Sequence, residues 1–311
     1  MPFDFSAVSA PFRMQPGLRR LAPGALQLTP NRIGDRSLLE KLAVLRHDPQ
    51  RALLSAPGFD PAPALNGLSM HAALEHPQAF GWREDGTCSA PHLRWSIQGS
   101  EVLGDGPPEI GECLRALPVA WRRPALLALA FAEDFAVVDA ASGCIEWLAV
   151  CLPSRWAPEE KVGRRFTEVH APVADNQLLI SASVQLMKLV TGAERWERFV
   201  WTLTPAGRLD QHPVRQAHET WPAQADAATL AATAFFRTER QTFIPLPERQ
   251  QAVFTIHVET RPLIEIARSA PAAQQLHDAI ASMSAAVIAY RSLGDARERL
   301  LAWLSARAAG A

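Results

Sequence analysis

The sequence predicts an α+β fold, a central antiparallel sheet flanked by helices with a helical layer at the N-terminal side. Strand-like stretches cluster in the middle of the 311 residues, and helical periodicities lie before and after them. The regular βα alternation of a doubly wound parallel sheet is missing, so the strands are expected to run antiparallel. No internal repeat is visible.

Taken in order, residues before about Ser37 read as an irregular arm rich in Pro and Gly. Asp35 is placed to cap a helix that carries Leu38, Leu39, Leu42 and Leu45 on one face and ends before Pro49. A Pro-rich turn over 57–63 precedes a short helix around Leu68 to Leu74, and Gly104-Asp-Gly-Pro-Pro108 reads as a surface loop. That loop divides an arm and helical layer, 1–110, from a main body, 111–311, the two packing as one structural unit. In the main body, Ala125 to Val138 reads as two strands meeting in a turn near Glu133-Asp134, and Cys144 to Leu152 as a buried strand. Leu178, Leu179, Ala182, Leu186, Leu189 and Val190 recur at helical spacing, which predicts an amphipathic helix over 176–190. Strands are expected at 198–203, 235–244 and 252–259. A polar loop spans 205–222, and two helices close the chain at about 272–290 and 295–307.

Composition narrows the function classes. The chain is 48% hydrophobic and 20% charged with a formal net charge of -1, which argues against nucleic acid or an acidic membrane as the main partner. No apolar run reaches the length of a membrane span and the first residues do not read as a secretory signal, so a cytoplasmic location is expected. Cys88, Cys113, Cys144 and Cys151 form no CxxC pair and read mostly as small core residues. No GxGxxG, Walker-type loop or GxSxG elbow occurs, so a nicotinamide or flavin site of its own is not expected.

Two constellations carry chemistry. His170 lies between a basic, turn-rich segment and the Ala171-Pro172 step, which is expected to hold extended backbone. Lys161, Arg164 and Arg165 lie just upstream, where they would meet the propionates of a haem. Spacing leaves two readings open: an imidazole that ligates iron, or a structural histidine with solvated basic neighbours. In Arg237-Thr-Glu-Arg-Gln-Thr-Phe243, strand alternation sends Arg237, Glu239, Gln241 and Phe243 to one face and Thr238, Arg240 and Thr242 to the other. A charged face of this kind belongs either to a solvated edge strand or to a polar site with internal ion pairs. His257, on the following strand, reads either as a second imidazole candidate or as a polar-face residue, and His212 lies in a loop, where it either gates a site or is an ordinary turn residue.

An ordered set of short pieces resembles the haem-binding alpha subunit of the haem-dependent oxidative N-demethylases, the dimethylamine-monooxygenase-like proteins. The pieces are Phe12-Arg-Met-Gln-Pro-Gly-Leu18, Ala132-Glu-Asp-Phe135, Cys151-Leu-Pro-Ser-Arg-Trp-Ala-Pro-Glu-Glu-Lys-Val-Gly163 and Val169-His-Ala-Pro-Val173. Arg237-Thr-Glu-Arg-Gln-Thr-Phe243, Leu246-Pro247 and Ala252-Val-Phe-Thr-Ile256 complete the series. The resemblance implies a PAS-like core holding haem b. It further implies oxidative N-demethylation of a small secondary amine by dioxygen, with release of formaldehyde. Electrons would come from a separate flavin and iron–sulfur reductase. On this reading His170 ligates the iron, with Cys151 as the rival ligand. Glu239 and Arg237 form the catalytic pair, Glu239 meeting the cationic amine, and Arg240 joins Lys161, Arg164 and Arg165 at the cofactor. The alternative from another class is a PAS-type haem or small-ligand sensor without turnover.

Overall fold

The computed structural model describes residues 3–217 and 219–310. After an arm that contains the short edge strand β1 (Arg19–Arg20) come α1 (Arg36–His47), β2 (Leu53–Ser55) and α2 (Ala62–Glu75). Next are β3 (Gly81–Trp82), β4 (Cys88–Ala90), β5 (Trp95–Gln98), β6 (Glu101–Gly104), α3 (Pro108–Ala116) and α4 (Val119–Ala130). The middle holds β7 (Asp134–Asp139), β8 (Cys144–Ala149), α5 (Phe166–His170), α6 (Gln177–Ser181), α7 (Ser183–Val190) and β9 (Trp196–Thr204). The chain ends with α8 (Ala227–Thr233), β10 (Phe235–Leu246), β11 (Gln251–Pro262), α9 (Leu263–Ile266), α10 (Ala270–Ala281), α11 (Ala285–Tyr290) and α12 (Arg297–Ala308).

Seven strands form one antiparallel sheet in the order β1-β9-β10-β11-β7-β8-β2, and β3 to β6 form a smaller antiparallel meander. The α+β class with an antiparallel central sheet therefore holds. β10 is hydrogen-bonded along both edges, to β9 and to β11, so its charged residues belong to a central strand and not to a solvated edge. One face of the sheet carries Ile244, Val253, Phe135 and Val137 and packs on Leu38, Leu42 and Leu45 of α1, Leu65 and Leu68 of α2, and α4. The opposite face carries Phe243, Phe254, Ala136 and Leu148 beneath Trp156, Val162, Phe166, Met187 and Val190. Helices α8 to α12 form a third layer against Trp201, Leu203 and Phe236.

Several elements differ from the sequence expectation. The run Ala125–Ala130 is the end of a helix, not a strand, and every residue of it is buried. An apolar run buried on all sides carries no period, and alanine and leucine then favour the helix. Glu133-Asp134 is not a turn but the buried entry to β7. Lys41 Nζ lies 3.2 Å from Asp134 Oδ1 and donates to the carbonyls of Phe131 (3.1 Å) and Glu133 (2.5 Å). The helix expected over 176–190 is two helices broken at Ala182, and the C-terminal one breaks again where Ser284 caps α11 by accepting from Val287 N–H. Asp35 stands at the N-cap of α1, but its carboxylate accepts from Arg32 N–H at 2.6 Å and bonds no helix amide.

Candidate functional site

The face of β9 and β10 that carries Glu239 also carries, by antiparallel register, Trp196 opposite Phe243, Arg198 opposite Gln241 and Val200 opposite Glu239. Two segments lie over this side of the sheet, residues 153–163 and the helices α5 and α7. The first is tied to the sheet: Gly163 N–H donates to Ile145 O (2.7 Å), Ile145 N–H to Arg164 O (3.0 Å) and Phe166 N–H to Gly143 O (2.9 Å). These bonds extend the ladder past β8 and launch α5 over the face, where Phe166 packs with Phe243, Phe254 and Met187.

His170 ends that helix. Its Nδ1 lies 2.8 Å from Phe166 O, and its ring lies against that of Phe166, tilted by 30° with centroids 4.0 Å apart. A carbonyl accepts only, so Nδ1 carries the proton and Nε2 presents its lone pair. Burial, reinforced by the positive charges of Arg198 and Lys161, brings the His170 pKa down to about 4, so the ring is neutral at neutral pH. Asn176 Nδ2 donates to the carbonyls of His170 (3.0 Å) and Ala171 (2.9 Å) and fixes the turn. Ala171 itself is helical (φ -57, ψ -38), not extended as expected before Pro172, because its N–H continues the turn to Glu168 O.

Glu239 sits at the centre of a short relay. Ser154 Oγ donates to its Oε1, Gln241 Nε2 donates to Oε2 at 2.6 Å, and Arg237 Nε donates to Ser154 Oγ at 2.8 Å. Arg237 is fully buried and spends its remaining donors on the carbonyls of Arg208 (3.1 Å), Leu209 (2.8 Å) and Leu152 (3.3 Å). Burial lowers its pKa to about 10, which still leaves it charged. Arg237 is thus a positioning residue that holds Ser154, and through it Glu239.

The other sequence candidates fall elsewhere. Arg240 points to the opposite face, where its Nε lies 3.0 Å from Glu197 Oε2, and Glu197 is shared with Arg19. His257, opposite Arg240 in register, lies on that face 3.3 Å from Glu133. Lys161 is half-buried near His170, while Arg164 and Arg165 are exposed on the approach to α5. Cys151 is fully buried, and burial with the Asp134 charge pushes its thiol far above the ordinary range, which disfavours a ligating thiolate. His212 is buried with Nε2 3.0 Å from Glu159, tying one loop to another. Sequence reasoning missed Ser154, Trp196 and Arg198. Among the described residues Trp196 Nε1 and Arg198 Nε are buried without a hydrogen-bond partner, and only the β9–β10 register reveals that they share the Glu239 face.

Among the described residues, no group of three or more His, Cys, Asp or Glu gathers to hold a bare metal ion. A lone neutral imidazole with its second nitrogen pinned suits instead an iron whose other ligands come from a macrocycle. Leu178 of α6 and Val184 of α7, 58% and 60% exposed, add apolar surface on the helices that follow. The donor set therefore fits a haem. Two hollows of about 280 and 260 Å³ lie elsewhere, one beside Asp48 and Arg215 and one beside His71 and Glu75.

Fold and site together define an α+β protein that offers one neutral imidazole and a carboxylate relay beneath a helical cover. The chain belongs to the family of haem-dependent oxidative N-demethylase alpha subunit-like proteins, which it matches over residues 70–301. No curated protein matches it. Among the described residues no helix is long and apolar enough to cross a membrane.

Proposed function

We propose that this protein is the haem-carrying subunit of an oxidative N-demethylase acting on a small secondary amine. The observation that carries the reading is His170, whose Nδ1–H is held by Phe166 O while Nε2 stays free to ligate iron. Haem b supplies the activation of dioxygen when bound. In the balanced reaction one oxygen atom leaves in formaldehyde and the other in water. Two electrons come from a separate flavin and iron–sulfur reductase, with two protons from solvent.

The chain's own residues bind and orient. Glu239 accepts from the ammonium of the amine, holding the N-methyl group toward the His170 side, and Gln241 and Ser154 fix the carboxylate rotamer. Arg237 keeps Ser154 in place. Lys161, Arg164 and Arg165 lie on the approach to α5, where propionates would find cations.

Reconstitution with haemin tests the reading. A Soret band is expected in the wild type, an altered band and weaker haem retention in His170→Ala, and an unchanged band in Cys151→Ala. An unaltered spectrum in His170→Ala rejects the ligand assignment. Dimethylamine, a reductase and NADPH should then yield formaldehyde, and haem binding without formaldehyde would instead indicate a sensor.

A further inference from the structure

We infer that the amine taken by this site also carries a carboxylate, so that the substrate class is an N-methylated α-amino acid of the N-methylglycine type. This rests on the reading above in which Glu239 meets the substrate. Arg198 and Glu239 stand on neighbouring strands of the same face, one register step apart, Arg198 opposite Gln241 and Glu239 opposite Val200. Such diagonal neighbours are roughly 7 Å apart, within reach of a long side chain. Yet the two do not pair, since Glu239 bonds to Ser154 and Gln241 instead.

Arg198 is left with a buried, unpartnered Nε and no ion pair among the described residues; burial lowers its pKa and the Glu239 charge opposes that shift. Trp196, two residues earlier on the same face, likewise keeps a buried Nε1 without an acceptor among the described residues. Two adjacent donors that lack an acceptor are costly to bury, and a guanidinium beside an indole N–H matches a carboxylate.

Candidate occupants differ in how they meet these groups. A bare dimethylammonium ion would satisfy Glu239 but add a second cation beside Arg198 and leave both donors empty. A haem propionate at Arg198 would place a second carboxylate beside Glu239, where like charges repel. A zwitterion meets both needs at once: its ammonium faces Glu239 and its carboxylate faces Arg198 and Trp196. Demethylation then proceeds with the balance already given, leaving the amino acid, formaldehyde and water.

Calorimetry and the Soret shift of the haem-reconstituted protein, titrated with N-methylglycine, dimethylammonium and acetate, test this. N-methylglycine is expected to bind about tenfold or more tighter than either half-molecule, the difference one charge-assisted contact makes. Arg198→Gln should abolish that preference while leaving haem loading intact, and because the Arg198 side chain makes no hydrogen bond among the described residues, the substitution removes none of those. Trp196→Phe, a second variant should the first fold poorly, is expected to weaken N-methylglycine about threefold. Equal affinity for dimethylammonium in the wild type overturns the inference, as does loss of haem in place of loss of preference in Arg198→Gln. If no Soret band forms, the haem reading fails on its own. Calorimetry on the apoprotein then decides: N-methylglycine binding that Arg198→Gln removes upholds the paired recognition, and no binding overturns it.

Discussion

At the scale of single residues, His170 shows how a local contact sets chemistry. Its pKa is lowered from the ordinary 6.5 to about 4, so the folded protein stays neutral there while the unfolded chain takes up a proton as pH falls below 6.5. The unfolded state then binds more protons, and stability contributed by this group is full above pH 6.5 and lost as pH falls toward 4. Urea midpoints measured between pH 7 and 4 should therefore drop less steeply in His170→Phe than in the wild type. His257, also lowered to about 4, adds to the same acid lability and remains in both proteins. Arg237 is the other decisive residue. Arg237→Met leaves Ser154 Oγ and the two buried carbonyls of Leu152 and Leu209 short of a donor, and a loss of about 3–5 kcal/mol is expected in denaturant unfolding. The histidine and the arginine were both legible as candidates in the sequence. Their roles were not, because tautomer and donor count depend on which carbonyls the fold brings near.

At the scale of elements, strands with a clear period were the readable part. β10 and β11 were located within a few residues because twelve-residue β-branched and aromatic runs have few alternatives. Segments lacking a period were misread, and α4 is the plain case. The small meander went unseen because its strands are two to four residues long, too short for alternation to register. It is held by close packing: a Cβ added at Gly111 of α3 would lie 2.3 Å from the ring of Trp95 on β5. Gly111→Ala should cost about 1–3 kcal/mol and lower the melting temperature by several degrees, despite alanine's better helix propensity. An unchanged melt would mean that this contact is not tight.

At the scale of the whole molecule, residue 110 lies inside one continuous hydrophobic cluster, which joins Leu38, Leu65 and Phe80 to Phe135, Trp147 and Val253. Lys41 and Asp134, both fully buried, lock α1 to β7 across the same boundary. Lys41→Met is expected to destabilise by about 3–5 kcal/mol because it leaves the Asp134 charge unpaired. A fragment of residues 111–311 is expected to show no cooperative melt by circular dichroism, since it would expose this cluster. The sequence by itself determined the α+β class, the central antiparallel strands and the segment in which His170 lies, since periodicity and short ordered motifs are local properties. Only the tertiary structure decided that His257 shares the Arg240 face and meets Glu133 there, and that Ser154, Trp196 and Arg198 join Glu239. Strand register and face set those relations, linking residues such as Ser154 and Glu239, 85 positions apart, through contacts that no sequence spacing encodes.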